Sequence, residues 1–239
     1  MTLSLFGAEP PADMLMFESL ARRQGFRAIA GIDEAGRGPL AGPVVAAAVI
    51  LPADLKLPEV NDSKKLTATL RNRLFDLIYS TALSVGVGMS DSTTIDRINI
   101  LQATLRAMEE AVVKLSTEPD YLLVDGISGT TLNIPQKTIK KGDSLSCSVA
   151  AASIIAKVTR DRMMEVYDRE YPGYGFAAHK GYGAASHLAA ISALGPSPIH
   201  RLTFRGVREH VVHQEEETSV QGNRDHLCAV RGLFCSDSD

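Results

Sequence analysis

The sequence predicts an α/β layer fold built on a mixed sheet. Short apolar runs bounded by glycine and proline come early, and farther along they alternate with stretches whose apolar residues recur at helical spacing. The first two runs, residues 28–33 and Val44 to Leu51, are joined by only about ten residues containing Gly and Pro. A parallel crossover needs a longer connection, so these two strands are expected to pair antiparallel.

The remaining elements follow in order. Residues 1–24 are mixed in composition, with Pro10 and Pro11, and are expected to be loosely ordered ahead of a short helix. Asn61-Asp62-Ser63-Lys64-Lys65 offers N-cap side chains for a helix reaching about Ser80, with Leu66, Leu70, Leu74 and Leu77 as its apolar face. Leu83 to Met89 reads as a third strand. Thr94 to Leu115 reads as one long amphipathic helix, since Ile98, Leu101, Leu105, Met108 and Val112 fall on one side. Tyr121 to Val124 is a short buried strand closing at Asp125, and Gln136 to Lys140 a fifth. Asp143-Ser144 is the expected start of a helix running to about Tyr171; its centre, Ala150 to Ala156, is small and apolar, as close packing on a sheet requires. Ala184 to Leu194 gives a further short helix. Beyond Arg208 the apolar periodicity fades, and residues 209–239 are expected to be an acidic tail without fixed structure.

Composition narrows the class. A chain of 239 residues, 45% hydrophobic and 22% charged, is an ordinary globular protein. No apolar stretch approaches the ~18 residues of a membrane helix, and no basic leader precedes an apolar core, so a cytoplasmic protein without membrane contact is expected. Three cysteines, Cys147, Cys228 and Cys235, suit free thiols rather than a disulfide framework. The net charge of −3 is uneven: seven acids and two bases give residues 209–239 a charge of −5, leaving +2 on the rest. Residues 171–208 hold no acid at all, yet carry Lys180, Arg201, Arg205 and Arg208, a balance compatible with a phosphate-rich partner.

The chemistry concentrates in four acids, each where a regular element ends or begins. Asp33 and Glu34 close the first strand, Asp125 closes a later one, and Asp143 precedes a helix. Each has a plain structural alternative: a solvated strand end, an Asp-Gly turn, a helix N-cap. Brought together, four carboxylates repel one another unless cations neutralise them, and hard oxygen ligands select Mg²⁺ or Mn²⁺. Consecutive side chains of a strand point to opposite faces, so Asp33 and Glu34 can share a site only where the strand ends and bends into Gly36-Arg37-Gly38.

Several segments then resemble one family. Gly31-Ile32-Asp33-Glu34-Ala35-Gly36-Arg37-Gly38-Pro39-Leu40 is similar to the signature of ribonuclease HII, the type 2 ribonuclease H family. So are Asn61-Asp62-Ser63-Lys64-Lys65-Leu66, Asp125-Gly126, Lys141-Gly142-Asp143-Ser144, the run from Ala151 to Asp161, Tyr174-Gly175-Phe176 and His179-Lys180-Gly181-Tyr182. These matches keep the family order across residues 28–208. Gly183, Leu202-Thr203-Phe204 and Ile127-Ser128 depart from the pattern, and none of them is a presumed metal ligand.

The resemblance implies a ribonuclease H-like three-layer fold: a mixed five-stranded sheet flanked by helices, with a helical C-terminal extension, over residues 25–208. It implies an endonuclease that hydrolyses the phosphodiester 5′ to a ribonucleotide, in RNA–DNA hybrids or at single ribonucleotides within duplex DNA, leaving a 3′-hydroxyl and a 5′-phosphate. Asp33, Glu34, Asp125 and Asp143 would hold two divalent ions, Mn²⁺ or Mg²⁺. Gly36, Arg37, Gly38 and Tyr182 would sense the 2′-hydroxyl, while Asn61, Ser63, Lys64 and Lys65 would meet phosphate at a helix N-terminus. Lys157 and Arg160 are further phosphate candidates. Thr2-Leu3-Ser4-Leu5-Phe6 is similar to the short peptide by which bacterial proteins dock on the replication sliding clamp. A monomer is the default.

Two other readings compete. A dinucleotide-binding dehydrogenase fails because Pro39 interrupts the glycine pattern and a strand, not a helix, follows it. A non-catalytic nucleic-acid-binding module of the same fold would be favoured by loss of any of the four acids, and all four are present.

Overall fold

A computed structural model describes residues 13–53, 55 and 67–211. Five strands form one sheet: β1 (Ile29–Ala35), β2 (Val44–Ile50), β3 (Ser84–Ser90), β4 (Tyr121–Asp125) and β5 (Gln136–Ile139), in the spatial order β3-β2-β1-β4-β5. β1 pairs antiparallel with β2, and β2 with β3, whereas β4 runs parallel to β1 and to β5. The mixed sheet and the antiparallel first pair are as expected from the short Gly/Pro link.

Helices cover both faces and make three layers. α3 (Ser92–Val113) packs across β3 and β2 on one side; α4 (Cys147–Glu170) lies on β1 and β2 on the other, with α2 (Ala68–Thr81) against it. Every residue of β2 is therefore buried, which is why it reads as an unbroken apolar run rather than an alternating one. One face presents Ile32, Ala46, Ile50 and Val124 to Ala107, Met108 and Ala111 of α3. The other presents Ala47 and Val49 to Leu74, Ile78, Ala151 and Ile155. Contact with α4 is close enough to require glycine in β1: a Cβ on Gly31 would sit 2.1 Å from the Ser148 backbone.

The short helix expected near the N-terminus is α1 (Met16–Arg23); its Glu18 is buried and accepts hydrogen bonds from the Ser146 and Ser148 hydroxyls and the Ser148 N–H, tying it to the start of α4. Three expectations are corrected. The described part of α2 is capped by Thr67, whose hydroxyl accepts from the Leu70 N–H, and it buries the i, i+4 ridge of Leu74 and Ile78 while Leu77 stays exposed. Residues 61–66 lie outside the described residues. α3 is broken at Asn99, where φ is 66°; the Asn99 side chain accepts from the N–H groups of Leu101 and Gln102 and caps the second half. α4 starts at Cys147, capped by Ser146, because Gly142–Ser144 forms a separate 3₁₀ turn.

After α4 the chain makes two short helices, α5 (Phe176–His179) and α6 (Ala185–Leu194), and then folds back in turns against the loop between β1 and β2. The expected helical extension is thus two short helices joined and followed by turns. Leu40 N–H donates to Gly181, Gly42 N–H to Ile199, and Arg201 N–H to Leu40, so the two segments are laced together by backbone. Among the described residues no helix is long and apolar enough to cross a membrane.

Candidate active site

Asp33 and Glu34 do not end β1. Both remain in register with β2, opposite Ala47 and Ala46, and β1 continues to Ala35. What ends is the partner on the other side: pairing of β1 with β4 stops at Ile32–Val124, one residue before Asp125. The two strands part there, and the gap lets side chains from opposite faces of β1 reach the same space. Carboxylate oxygens of Asp33, Glu34 and Asp125 all lie within 4.8 Å of one another.

The electrostatics of this trio are unfavourable by themselves. Asp33 is buried, and its pKa stands well above the usual carboxylate range, first through desolvation and then through the charges of Glu34 and Asp125. Neutral donors meet it: the Glu34 N–H at 2.7 Å and the Ser153 hydroxyl. Glu34 is also raised, chiefly by burial, against the pull of Arg37, whose Nη1 lies 3.3 Å from Glu34 Oε1. Asp125 is held by a 2.6 Å hydrogen bond from the Gly142 N–H. A set of crowded, half-desolvated oxygen ligands fits a hard divalent cation. Asp143 is buried on the 3₁₀ turn next to Gly142 and is not one of the three converging acids.

The trio forms the floor of an open cleft of about 410 Å³, bounded by Gly36, Arg37, Gly38, Arg71, Ser153, Lys157, Arg160 and Tyr182. Carboxylates below and cations around the rim are arranged for a phosphate ester whose reacting centre sits over metal. Comparison with known proteins agrees. The sequence profile of the ribonuclease HII family matches residues 30–207. The ribonuclease HII of Geobacter sulfurreducens is 70% identical over 211 residues, covering 88% of this chain and 97% of that protein. That of Geotalea uraniireducens is 68% identical over 214 residues, covering 90% and 99%.

The chain belongs to the ribonuclease HII family.

It is a metal-dependent endoribonuclease, a hydrolase of ester bonds. Solved structures place it in the same fold. The ribonuclease H2 of Pyrococcus horikoshii superposes with a TM-score of 0.65 at 28% identity, over 77% of this chain and 96% of that one. The ribonuclease HII of Archaeoglobus fulgidus, solved in complex with PCNA, gives 0.64 at 25% identity, over 75% and 96%.

The ribonuclease HII loop Gly36–Gly38 combines two different glycines. Gly36 has φ +95° and turns its bare Cα inward: a Cβ there would lie 2.0 Å from Arg160 Nε and 2.8 Å from the Pro43 carbonyl. Gly38 turns outward: a Cβ there would stand 3.8 Å from the half-exposed ring of Tyr182. Only the second glycine is open to a ligand. Arg160 is likewise reassigned. It is not a surface phosphate contact but a buried clamp: Nε donates to Pro43, Nη1 to Lys180 and Nη2 to Ala41, with the guanidinium 6.0 Å from the Tyr182 ring centre. Lys157 does reach the cleft, oriented by Asp161 at 2.6 Å.

Sequence reasoning missed Arg201, which is fully buried and donates to the carbonyls of Gly36, Arg37 and Gly42. It also missed His187 and His200, buried behind Tyr182. Their signal was present in the acid-free stretch 171–208, whose cations were read as a surface and partly turn inward. Asn61, Ser63, Lys64 and Lys65 lie outside the described residues, as do residues 2–6 and the tail after 211.

Proposed function

We propose that this enzyme cuts the phosphodiester on the 5′ side of a ribonucleotide, in RNA–DNA hybrids or at single ribonucleotides embedded in duplex DNA, leaving a 3′-hydroxyl and a 5′-phosphate. The convergence of Asp33, Glu34 and Asp125 beneath a rim of Gly36–Gly38 and Tyr182 carries this reading. Two divalent ions, Mg²⁺ or Mn²⁺, would be held by Asp33, Glu34 and Asp125, with Asp143 nearer the second, and would activate water and stabilise the leaving oxygen.

The chain's own groups supply the rest. The rim amides of Arg37 and Gly38 and the phenol of Tyr182 surround the space where a ribose edge would sit, and a 2′-hydroxyl is the feature separating RNA from DNA there. Arg37, 3.3 Å from Glu34, opposes the upward push that burial gives the Glu34 carboxyl. Lys157 and Arg71 line the side of the cleft as contacts for strand phosphates. Asn61, Ser63, Lys64 and Lys65 would extend that contact along the duplex. The N-terminal peptide Thr2–Phe6 is a candidate clamp-binding motif, a role to which the PCNA complex of the Archaeoglobus fulgidus relative lends support; capture of sliding clamp by the full chain but not by one lacking residues 1–7 is its test.

Cleavage of a labelled duplex carrying one ribonucleotide, with Mg²⁺ or Mn²⁺, tests the whole reading. The expected product ends in a 3′-hydroxyl that a polymerase extends. A 3′-phosphate end, or equal cutting of an all-DNA duplex, would overturn it.

A further inference from the structure

Behind the cleft, three histidines pack around Phe176. His179 stacks on His187 with ring centres 4.3 Å apart and 17° between planes, and His187 meets His200 at 5.2 Å. His187 and His200 are buried. Imidazoles inside a core need defined partners, and here the partners fix where every proton sits.

The backbone N–H of Ser197 donates to His200 Nδ1 at 2.8 Å, so that nitrogen is unprotonated and the His200 proton is on Nε2. His200 Nε2 faces His187 Nε2 at 3.0 Å. One of the two must accept, and since His200 donates, His187 Nε2 is bare. The His187 proton is then on Nδ1, which donates to the Tyr182 carbonyl at 2.8 Å. His179 works beside them: it accepts from the Gly181 N–H at 3.2 Å on Nδ1 and donates from Nε2 to the Tyr174 carbonyl at 2.8 Å. His187 and His200 thus carry one proton each. Burial keeps His187 and His200 in that form by lowering both pKa values.

This chain of bonds ends on Tyr182. The same carbonyl accepts from the Ala184 N–H, and the Tyr182 N–H donates to His179. Glycines flank the tyrosine on both sides, and Lys180 and Gly181 both have positive φ, so the loop has little rigidity of its own. The imidazoles supply it. A peptide rotation at Tyr182 would swing the phenol away from Gly38.

We propose that His187 and His200 are positioning residues for ribonucleotide recognition: a relay of neutral imidazoles that fixes the Tyr182 carbonyl and so holds the phenol at the rim of the cleft. The proposal rests on the reading of Tyr182 as the sugar-sensing residue, and its test separates the two.

The test is a double-mutant cycle on kcat/KM for a duplex with one ribonucleotide. His187→Phe is expected to lower it about tenfold in the native background, and less than about twofold once Tyr182→Ala is present, because coupled residues are not additive. His187→Asn, which keeps an N–H for the Tyr182 carbonyl, is expected to recover most of the loss. Equal losses in both backgrounds, with Tyr182→Ala itself harmful, would overturn the relay and leave the sugar sensor standing. A harmless Tyr182→Ala would remove the sensor, and the relay's role with it. Should His187→Phe fail to fold, two-bond ¹⁵N–¹H spectra of the unmodified chain read the tautomers directly. His187 protonated on Nδ1 and His200 on Nε2 support the relay; the reverse tautomers, or a doubly protonated ring at pH 7, overturn it.

Discussion

Arg201 donates to the carbonyl of Gly36 across 165 positions of sequence, and the same guanidinium also holds Arg37 and Gly42. A charge with no exposure has its hydrogen bonds met by main-chain carbonyls of the loop that rims the cleft. The C-terminal segment is therefore a part of the active-site wall. Arg201→Lys is expected to be far from conservative, since an ammonium lacks the planar fork that reaches three carbonyls. A loss of about 3 kcal/mol or more in urea unfolding is expected, with a parallel fall in cleavage rate. Retention of full stability in Arg201→Lys would show that the loop holds its shape without the clamp.

Asp33 presents the opposite situation, a buried carboxylate crowded by two others. Asp33→Asn is expected to lower cleavage by about a thousandfold, the scale of losing one charged member of a preorganised site. In metal-free buffer the same change is expected to raise the melting temperature by ~2–5 °C, because it removes a desolvated charge from a repulsive cluster. Mn²⁺ is expected to raise the melting temperature of the native chain much more than that of Asp33→Asn, since an ion stabilises only the state that binds it. Calorimetric scans with and without metal, beside the cleavage assay, check all three effects.

His200 sets an acid limit on stability. Its ordinary pKa is 6.5, and the fold lowers it to about 4, chiefly by burial and then by the neighbouring His187. The unfolded chain therefore binds this proton more readily than the folded one. The stabilising contribution is complete above pH 6.5 and is lost as pH falls toward 4, on the order of 3 kcal/mol over that span. The groups facing it are His187, Phe176, Tyr174 and Ser197, which offer no compensating carboxylate. Urea midpoints measured from pH 7 to pH 4.5 are expected to fall more steeply for the native chain than for His200→Gln. Parallel pH profiles would assign the acid sensitivity to other groups.

The sequence made the fold legible wherever burial is two-sided. Val44 to Ile50 and Leu122 to Val124 could be read as strands because both faces are covered, and Asp33, Glu34 and Asp125 could be read as a site because carboxylates brought together repel one another unless a cation joins them. Boundaries were harder. Asn99 breaks α3 with a positive φ inside a faultless helical pattern, and Ser146 takes the cap that Asp143-Ser144 seemed to offer. The strand runs on through Asp33 and Glu34 to Ala35 before the bend at Arg37 and Gly38; the two acids share a site because β1 and β4 stop pairing at Ile32–Val124, a property of the neighbour that β1 does not encode. Arg160 and Arg201 look like surface in the sequence, because most of their partners are backbone carbonyls far along the chain, and main-chain partners leave no complementary residue to find; His187 and His200 pair with each other and with nearby Tyr182 and Ser197, a match that only the folded loop brings together.

The two rim glycines separate folding from recognition. At Gly36 a methyl group would meet Arg160 Nε at 2.0 Å and the Pro43 carbonyl at 2.8 Å, and φ of +95° is strained for any L side chain. The clash is with a buried guanidinium held by three carbonyls, so the neighbour cannot retreat without breaking its own bonds. Gly36→Ala is expected to cost about 2–4 kcal/mol in stability, with activity falling as the loop is displaced. At Gly38 the nearest atom is the Tyr182 ring at 3.8 Å, an ordinary contact, and no positive φ is involved. Gly38→Ala is expected to leave stability within about 0.5 kcal/mol. Its methyl group would nonetheless project into the space between Tyr182 and the carboxylates, where the ribose edge is placed. Cleavage at a single ribonucleotide is expected to drop about tenfold or more, a cost near 1.4 kcal/mol in transition-state binding. Unfolding curves and kcat/KM on the two variants should thus diverge, the first losing mainly stability and the second mainly turnover. If Gly38→Ala cleaves at the native rate, the ribose does not approach over that glycine and its recognition lies elsewhere on the rim.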